Sequence, residues 1–238
     1  MKQYFPKSWK LLYQLFRRYC REHLFSKQNF ALKHEQLWQT QFQISTQQDI
    51  KINQYFGNKA HNIDLTIQAL HGLVIEPNQT FSFWHLVPAP TKRNGYKIGR
   101  NLVQGKVTED LGGGICQVSC LLYINALKAG LRIIERHAHS VDIYQEHERF
   151  TPLGSDASVV YGYKDLQFQN TLDFSIQIKI LRQDDQLLAV FVTKRPARIY
   201  LLDFVVEDSE NYRIVNTYAD HKHIAKDIYP LPNQLDAY

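Results

Sequence analysis

Hydrophobic and polar positions change their period part-way along this chain. Near the start, Trp9, Leu12, Leu15, Phe16 and Tyr19 recur at three- and four-residue spacing, which marks one face of a helix. Residues 1–55 are rich in glutamine and hold no glycine before Gly57. They predict a basic helical extension, residues 1–57, joined to the rest at Gly57-Asn58-Lys59. With Asn62 as N-cap, residues 63–70 then read as a short amphipathic helix ending near Gly72. Pro77-Asn78 predicts a turn, residues 80–84 a strand, and residues 102–107 a hairpin around Gln104-Gly105.

Residues 115–129 are apolar nearly all round, through Ile115, Val118, Leu121, Leu122, Ile124, Ala126 and Leu127. Such a helix is expected to be central and buried, with Gly130 closing it at C′. Beyond it the period drops to two. Strands are expected at residues 131–135, 140–144, 157–161, 166–169, 174–181, 187–193 and 197–206, with Asp184-Asp185 as a hairpin turn. Helices followed by closely connected strands predict an α+β fold in which the buried helix packs on a mainly antiparallel sheet. The main domain is expected over residues 58–218, and residues 219–238, with Pro230 and Pro232, as a loose C-terminal arm.

Composition narrows this picture. A chain of 238 residues can bury a substantial core without staples. Three cysteines, Cys20, Cys116 and Cys120, give no disulfide framework, and reduced thiols suit a cytoplasmic setting. No apolar run reaches the roughly 18 residues of a membrane span. Lysines and arginines interrupt residues 7–21, so no export leader is expected there. The formal charge of +5 is mild and sits largely in Lys2, Lys7, Lys10, Arg17, Arg18 and Arg21. Two readings of that basic helix stay open: it packs on the domain with a solvated basic face, or it makes peripheral contact with an anionic membrane through residues 7–21. No motif supports nucleic acid as a partner.

Reactive side chains concentrate in three segments. Gly112-Gly113-Gly114-Ile115-Cys116-Gln117 sets a cysteine in the first turn of the buried helix. Unpaired amides and the helix dipole there stabilise a thiolate and can hold a developing oxyanion. The plainer reading makes Cys116 a small buried hydrophobe behind a turn, which suits Cys120 better. Glu135-Arg136-His137-Ala138-His139-Ser140 follows. Two residues apart on a strand, His137 and His139 would face one cleft, and His139 is favoured over His137 as the base. In Gly154-Ser155-Asp156-Ala157-Ser158-Val159, Asp156 opens an expected strand and would orient the histidine, with Asp142 as competitor and turn capping as the plain alternative. Gly112, Gly113, Gly114, Gln117 and Arg136 are the candidates for oxyanion or substrate binding. The order cysteine, histidine, aspartate is that of papain-like and transglutaminase-like acyl-transfer enzymes. Cys116, His137 and His139, with His85 or His147, would alternatively make a zinc set for a hydrolase. No Cys-x-x-Cys or His-Glu-x-x-His pattern supports that, so no metal or cofactor is assigned.

With these motifs in hand, the chain resembles the VanW family, named after an accessory protein of vancomycin-resistance gene clusters. The likeness runs from about residue 62 to about residue 194. Its carriers are Pro77 with Phe81-Ser82-Phe83, the Gly112–Ser119 motif, the three segments above in order, Tyr161-Gly162-Tyr163-Lys164-Asp165-Leu166, and Asn170. Some exported members are linked to L,D-transpeptidation, forming 3-3 peptidoglycan cross-links through the motif cysteine. The resemblance therefore implies that Cys116 attacks a stem-peptide amide, with His139 or His137 moving the proton and Asp156 as orienter. A cytoplasmic protein of this kind would meet peptidoglycan precursors, nucleotide- or lipid-linked. A non-catalytic module binding wall precursors or glycopeptides is the other reading.

Overall fold

The computed structural model describes residues 6–103, 106–140 and 151–231. Helix α4 (Ile115–Lys128) is the centre of the molecule, and its apolar circumference explains why: Val118, Leu121, Leu122 and Ala126 are fully enclosed. Among its deeply buried polar residues, Asn125 is satisfied on both sides. The Nδ2 amide donates to the Ala189 carbonyl at 2.8 Å, and Oδ1 accepts the Thr46 hydroxyl at 2.7 Å. Gly130, at φ +66°, closes the helix.

The fold is α+β with mainly antiparallel sheets and few helices. The chain runs α1 (Lys7–Tyr19), prolonged by a wider turn over Cys20–Phe25, then β1 (Phe42–Asp49), α2 (Phe56–Leu70), β2 (Val74–Ile75), β3 (Thr80–Ser82) and α3 (Phe83–Leu86). The hairpin β4 (Ile98–Val103) and β5 (Lys106–Leu111) precedes α4, which is followed by β6 (Arg132–Glu135), β7 (Gln167–Gln169), β8 (Ile176–Gln183) and β9 (Gln186–Thr193). Last come β10 (Leu202–Asp208), β11 (Tyr212–Ala219) and β12 (Lys222–Pro230).

Helix α4 packs on the sheet ordered β1-β9-β8-β2. Ile44, Phe191 and Ile178 stand opposite one another across three of its strands, and all are buried. In the smaller sheet β3-β7-β6, Phe81 and Phe168 stack with ring centroids 4.6 Å apart. The third sheet, β10-β11-β12, is a meander.

Several expectations fail for physical reasons. Helix does not continue to residue 55: Phe42–Asp49 is the edge strand β1, whose inward Ile44 and Gln48 are separated by polar residues that hide the period of two. Gly57-Asn58-Lys59 lies within the first turns of α2, and Asn62 is a buried residue in mid-helix, not an N-cap. Residues 157–161 form no strand and make a single bridge, between Val160 and Lys164. Within the expected arm, Lys222–Pro230 is the regular strand β12, paired to β11 through a turn in which Asp220 and His221 take positive φ. The hairpin tip Gln104-Gly105, the expected strand beyond residue 140, Asp142 and His147 lie outside the described residues. Among the described residues no helix is long and apolar enough to cross a membrane.

Candidate active site

The site begins where the β4–β5 hairpin runs into α4. Gly114 caps the helix at φ +102°, a conformation that side chains rarely adopt. Buried Asn62 holds the turn from α2: its amide donates to the Gly113 and Lys97 carbonyls, each at 3.0 Å, and accepts the Lys97 N–H at 2.8 Å. The three glycine amides do not all converge on an open site, since Gly112 gives its N–H to the Lys97 carbonyl at 3.1 Å.

Cys116 is the second residue of α4 and half-buried. Its thiol lies 3.8 Å from the Val159 carbonyl and interacts directly with the His139 imidazole. Burial alone would raise the thiol. The hydrogen bond and charge of His139, with the Val159 contact, outweigh it, so the Cys116 pKa falls below the ordinary thiol value. Cys120, one turn on, is the contrast. It takes the Ala157 N–H on its sulfur at 3.2 Å, and burial pushes its pKa well up. It is a packing residue.

Asp156 grips His139 twice with one oxygen. Oδ2 accepts the His139 backbone N–H at 2.6 Å and pairs with Nδ1 at 2.7 Å, leaving the ring's Nε2 side for the thiol. Burial would lower His139, but the Asp156 hydrogen bond and the thiol push it up to about 10. Burial would raise Asp156, and His139, Arg136 and Tyr229 together hold it well below the usual carboxylate range.

Around this carboxylate stands a shell of donors. Arg136 sends Nε to the Asp156 carbonyl at 2.6 Å, and Nη2 to Asp156 Oδ1 at 2.9 Å and to the Gly154 carbonyl at 3.0 Å. Its Nη1 pairs with Asp227 of β12, and its guanidinium sits 4.8 Å over the Tyr123 ring. These contacts tie Arg136 to the Asp156 segment and to β12. Arg136 positions Asp156. Tyr229, also on β12, donates its hydroxyl to Asp156 Oδ1 at 2.5 Å.

The two histidines part company because β6 ends at Glu135, so strand alternation does not govern residues 136–139. His137 pairs its Nε2 with Glu135 Oε1 at 3.0 Å. Glu135 also receives Arg18 of α1 through two bonds of 2.9 and 2.8 Å, and the Asp165 N–H at 3.0 Å. Gln117 reaches only weakly toward the Asp49 carbonyl, at 3.5 Å, and its Oε1 is enclosed with no partner among the described residues. Among the described residues no group of three or more His, Cys, Asp or Glu side chains is arranged to hold a metal ion.

Tyr229, Asp227 and the Asn62 grip were missed from sequence. The alternation of residues 222–229 after the Asp220-His221 turn was the available signal for β12. Nothing local ties Asn62 to Gly113, 51 residues away.

Comparison with known proteins agrees with the motifs. The chain is 38% identical over 147 residues to "Vancomycin B-type resistance protein VanW" of Enterococcus faecalis (strain ATCC 700802 / V583), covering 61% of this chain and 54% of that protein. It is 37% identical over 149 residues to "Uncharacterized protein YoaR" of Bacillus subtilis (strain 168), covering 61% of this chain and 48% of that one. The chain therefore spans about half the length of these curated relatives. No solved structure matches it. The family model described as "VanW like protein" matches residues 58–192, more than half of the chain and a span that holds Cys116, His139 and Asp156, so the chain belongs to the VanW family.

Proposed function

We propose that this chain is a cysteine acyltransferase of the L,D-transpeptidase kind, or an amidase, acting on the peptide stems of peptidoglycan precursors. The observation that carries the reading is the relay from Cys116 through His139 to Asp156, with a lowered thiol and a raised imidazole. A thiol at a helix start, backed by a histidine and an aspartate from neighbouring segments, is the arrangement of papain-like and transglutaminase-like enzymes. The name of the Enterococcus faecalis relative, a vancomycin resistance protein, supports cell-wall peptides as the substrate class.

The Cys116 thiolate attacks the carbonyl carbon of a stem-peptide amide. The amide of the first helical turn receives the developing oxyanion. As the C–N bond breaks, the imidazolium of His139 gives its proton to the departing amine, leaving a thioester on Cys116. A second stem's amine, or water, then attacks the thioester. His139 takes the proton of that nucleophile, and the thiolate is released. Asp156 holds the ring in the tautomer that carries hydrogen on Nδ1, and Arg136 with Tyr229 hold Asp156. Cys116, His139 and Asp156 are the residues of the reaction, and His137 belongs to the docking of α1.

The test is turnover of a tetrapeptide stem, followed by release of the terminal residue. Wild type releases it, while Cys116→Ala and Cys116→Ser lose the activity by at least about a thousand-fold. Full activity in Cys116→Ala overturns the reading. Stem binding without turnover in wild type, unchanged in Cys116→Ala, would make the protein a binding module instead.

A further inference from the structure

Helix α1 lies on the protein by one stripe only. Leu11 and Leu15 rest against Gly162, where even a methyl group would collide with Leu11. On the same side, Arg18 makes its two bonds to Glu135 and lies 3.6 Å from the buried Asp165. The opposite stripe is apolar and faces away from the fold. Trp9 is 66% exposed and Phe16 65%, with Leu12, Tyr13 and Tyr19 open beside them. Monomeric surfaces rarely leave so many large apolar side chains together without a partner.

We propose that this outward face of α1 binds an anionic lipid bilayer. Helical spacing sets Trp9, Leu12 and Phe16 in the middle of the stripe, with Tyr13 and Tyr19 on its two edges. Rings that are apolar inside and polar at the rim suit the headgroup boundary. Lys10 and Arg17 follow beyond Tyr13, both exposed, and residues 7–19 contain no acidic residue. That charge complements anionic headgroups. A second copy of the chain fits less well, because pairing two such faces sets basic residues against basic residues. Helix α1 lies outside the family-matched span, and Gly162 beneath it is three residues from Val159, whose carbonyl meets the Cys116 thiol. The binding itself does not depend on the proposed chemistry.

Co-sedimentation of the full chain with vesicles tests this. One set holds phosphatidylcholine alone, the other phosphatidylcholine with phosphatidylglycerol. Wild type is expected to pellet with the anionic vesicles and to release as salt rises. The pair Trp9→Glu with Phe16→Glu abolishes pelleting, and Lys10→Gln with Arg17→Gln weakens it by roughly five-fold per charge. All four side chains are exposed, so the melting temperatures of both variants should match wild type; if the glutamate pair fails to fold, the charge pair and the salt dependence decide. No pelleting of wild type with either vesicle overturns the proposal. So does pelleting that both variants leave unchanged, or light scattering that shows a dimer which Trp9→Glu with Phe16→Glu dissociates.

Discussion

Tyr229 donates its hydroxyl to Asp156 at 2.5 Å, on the carboxylate oxygen opposite the one that holds His139. The link joins β12, beyond the family-matched residues 58–192, to the orienting aspartate of the site. In the proposed reading the last sheet thereby supports the reacting residues. Tyr229→Phe removes one donor to a charged acceptor and should lower stability by about 1.5–3 kcal/mol by denaturant titration. Turnover should fall several-fold with KM little changed, since the hydroxyl acts only through Asp156. Asp156→Asn should cost far more, because the amide no longer stabilises the His139 imidazolium.

Cys116 should remain reactive at lower pH than an ordinary thiol. Thiolate is the nucleophile, and the folded protein lowers the Cys116 pKa. Alkylation by iodoacetamide is therefore present above that lowered pKa and lost as pH falls through it. His139→Ala should return the midpoint toward or above the ordinary thiol range, because burial then acts unopposed. Cys120, raised by burial, should stay unmodified in the native protein. Peptide mapping after partial alkylation checks all three outcomes.

Turnover should decline again at high pH. His139 titrates at about 10, jointly with the thiol, and the imidazolium that supplies the leaving amine with its proton is lost as pH rises through that value. The same sign holds for stability. His139 gains its partners on folding, so its contribution is complete below its unfolded pKa and disappears as pH rises through about 10. The difference between wild type and His139→Ala in pH-dependent denaturant unfolding measures it.

Asn62→Leu should injure the site from a distance. It leaves the Gly113 and Lys97 carbonyls and the Lys97 N–H without their side-chain partner, at a cost of about 1–3 kcal/mol. The turn that sets Cys116 loosens as well, so alkylation of Cys116 slows. Phe168→Ala serves as the control. It removes a fully buried ring stacked on Phe81 and should cost roughly 3–5 kcal/mol while leaving the Cys116 pH profile in place.

Legibility from sequence followed the range of each interaction. The unbroken apolar circumference of residues 115–128 made α4 readable, and the Asp184-Asp185 turn made the β8–β9 hairpin readable, because both signals are local. Strand β1 was unreadable because its partner β9 lies more than 130 residues on, and its glutamines carry no burial signal of their own. The meeting of Cys116 with His139 and Asp156 was anticipated from motif order, while the strand expected after Asp156 does not form; irregular backbone at His139 and Asp156 brings them together through Ser158 N–H to the His137 carbonyl and through Arg136. The four acceptor contacts of Arg136 carried no local sequence signal, because they reach from residue 136 to Gly154, Asp156 and Asp227.

In the proposed reaction Cys116 carries an acyl group during turnover. Intact-mass spectrometry of the protein quenched in acid during incubation with a tetrapeptide stem tests it most directly. The expected result is a mass gain equal to the stem less its departing residue, mapped by digestion to Cys116 and absent in Cys116→Ala. Turnover of the stem with no adduct on Cys116, or an adduct that persists in Cys116→Ala, would contradict it.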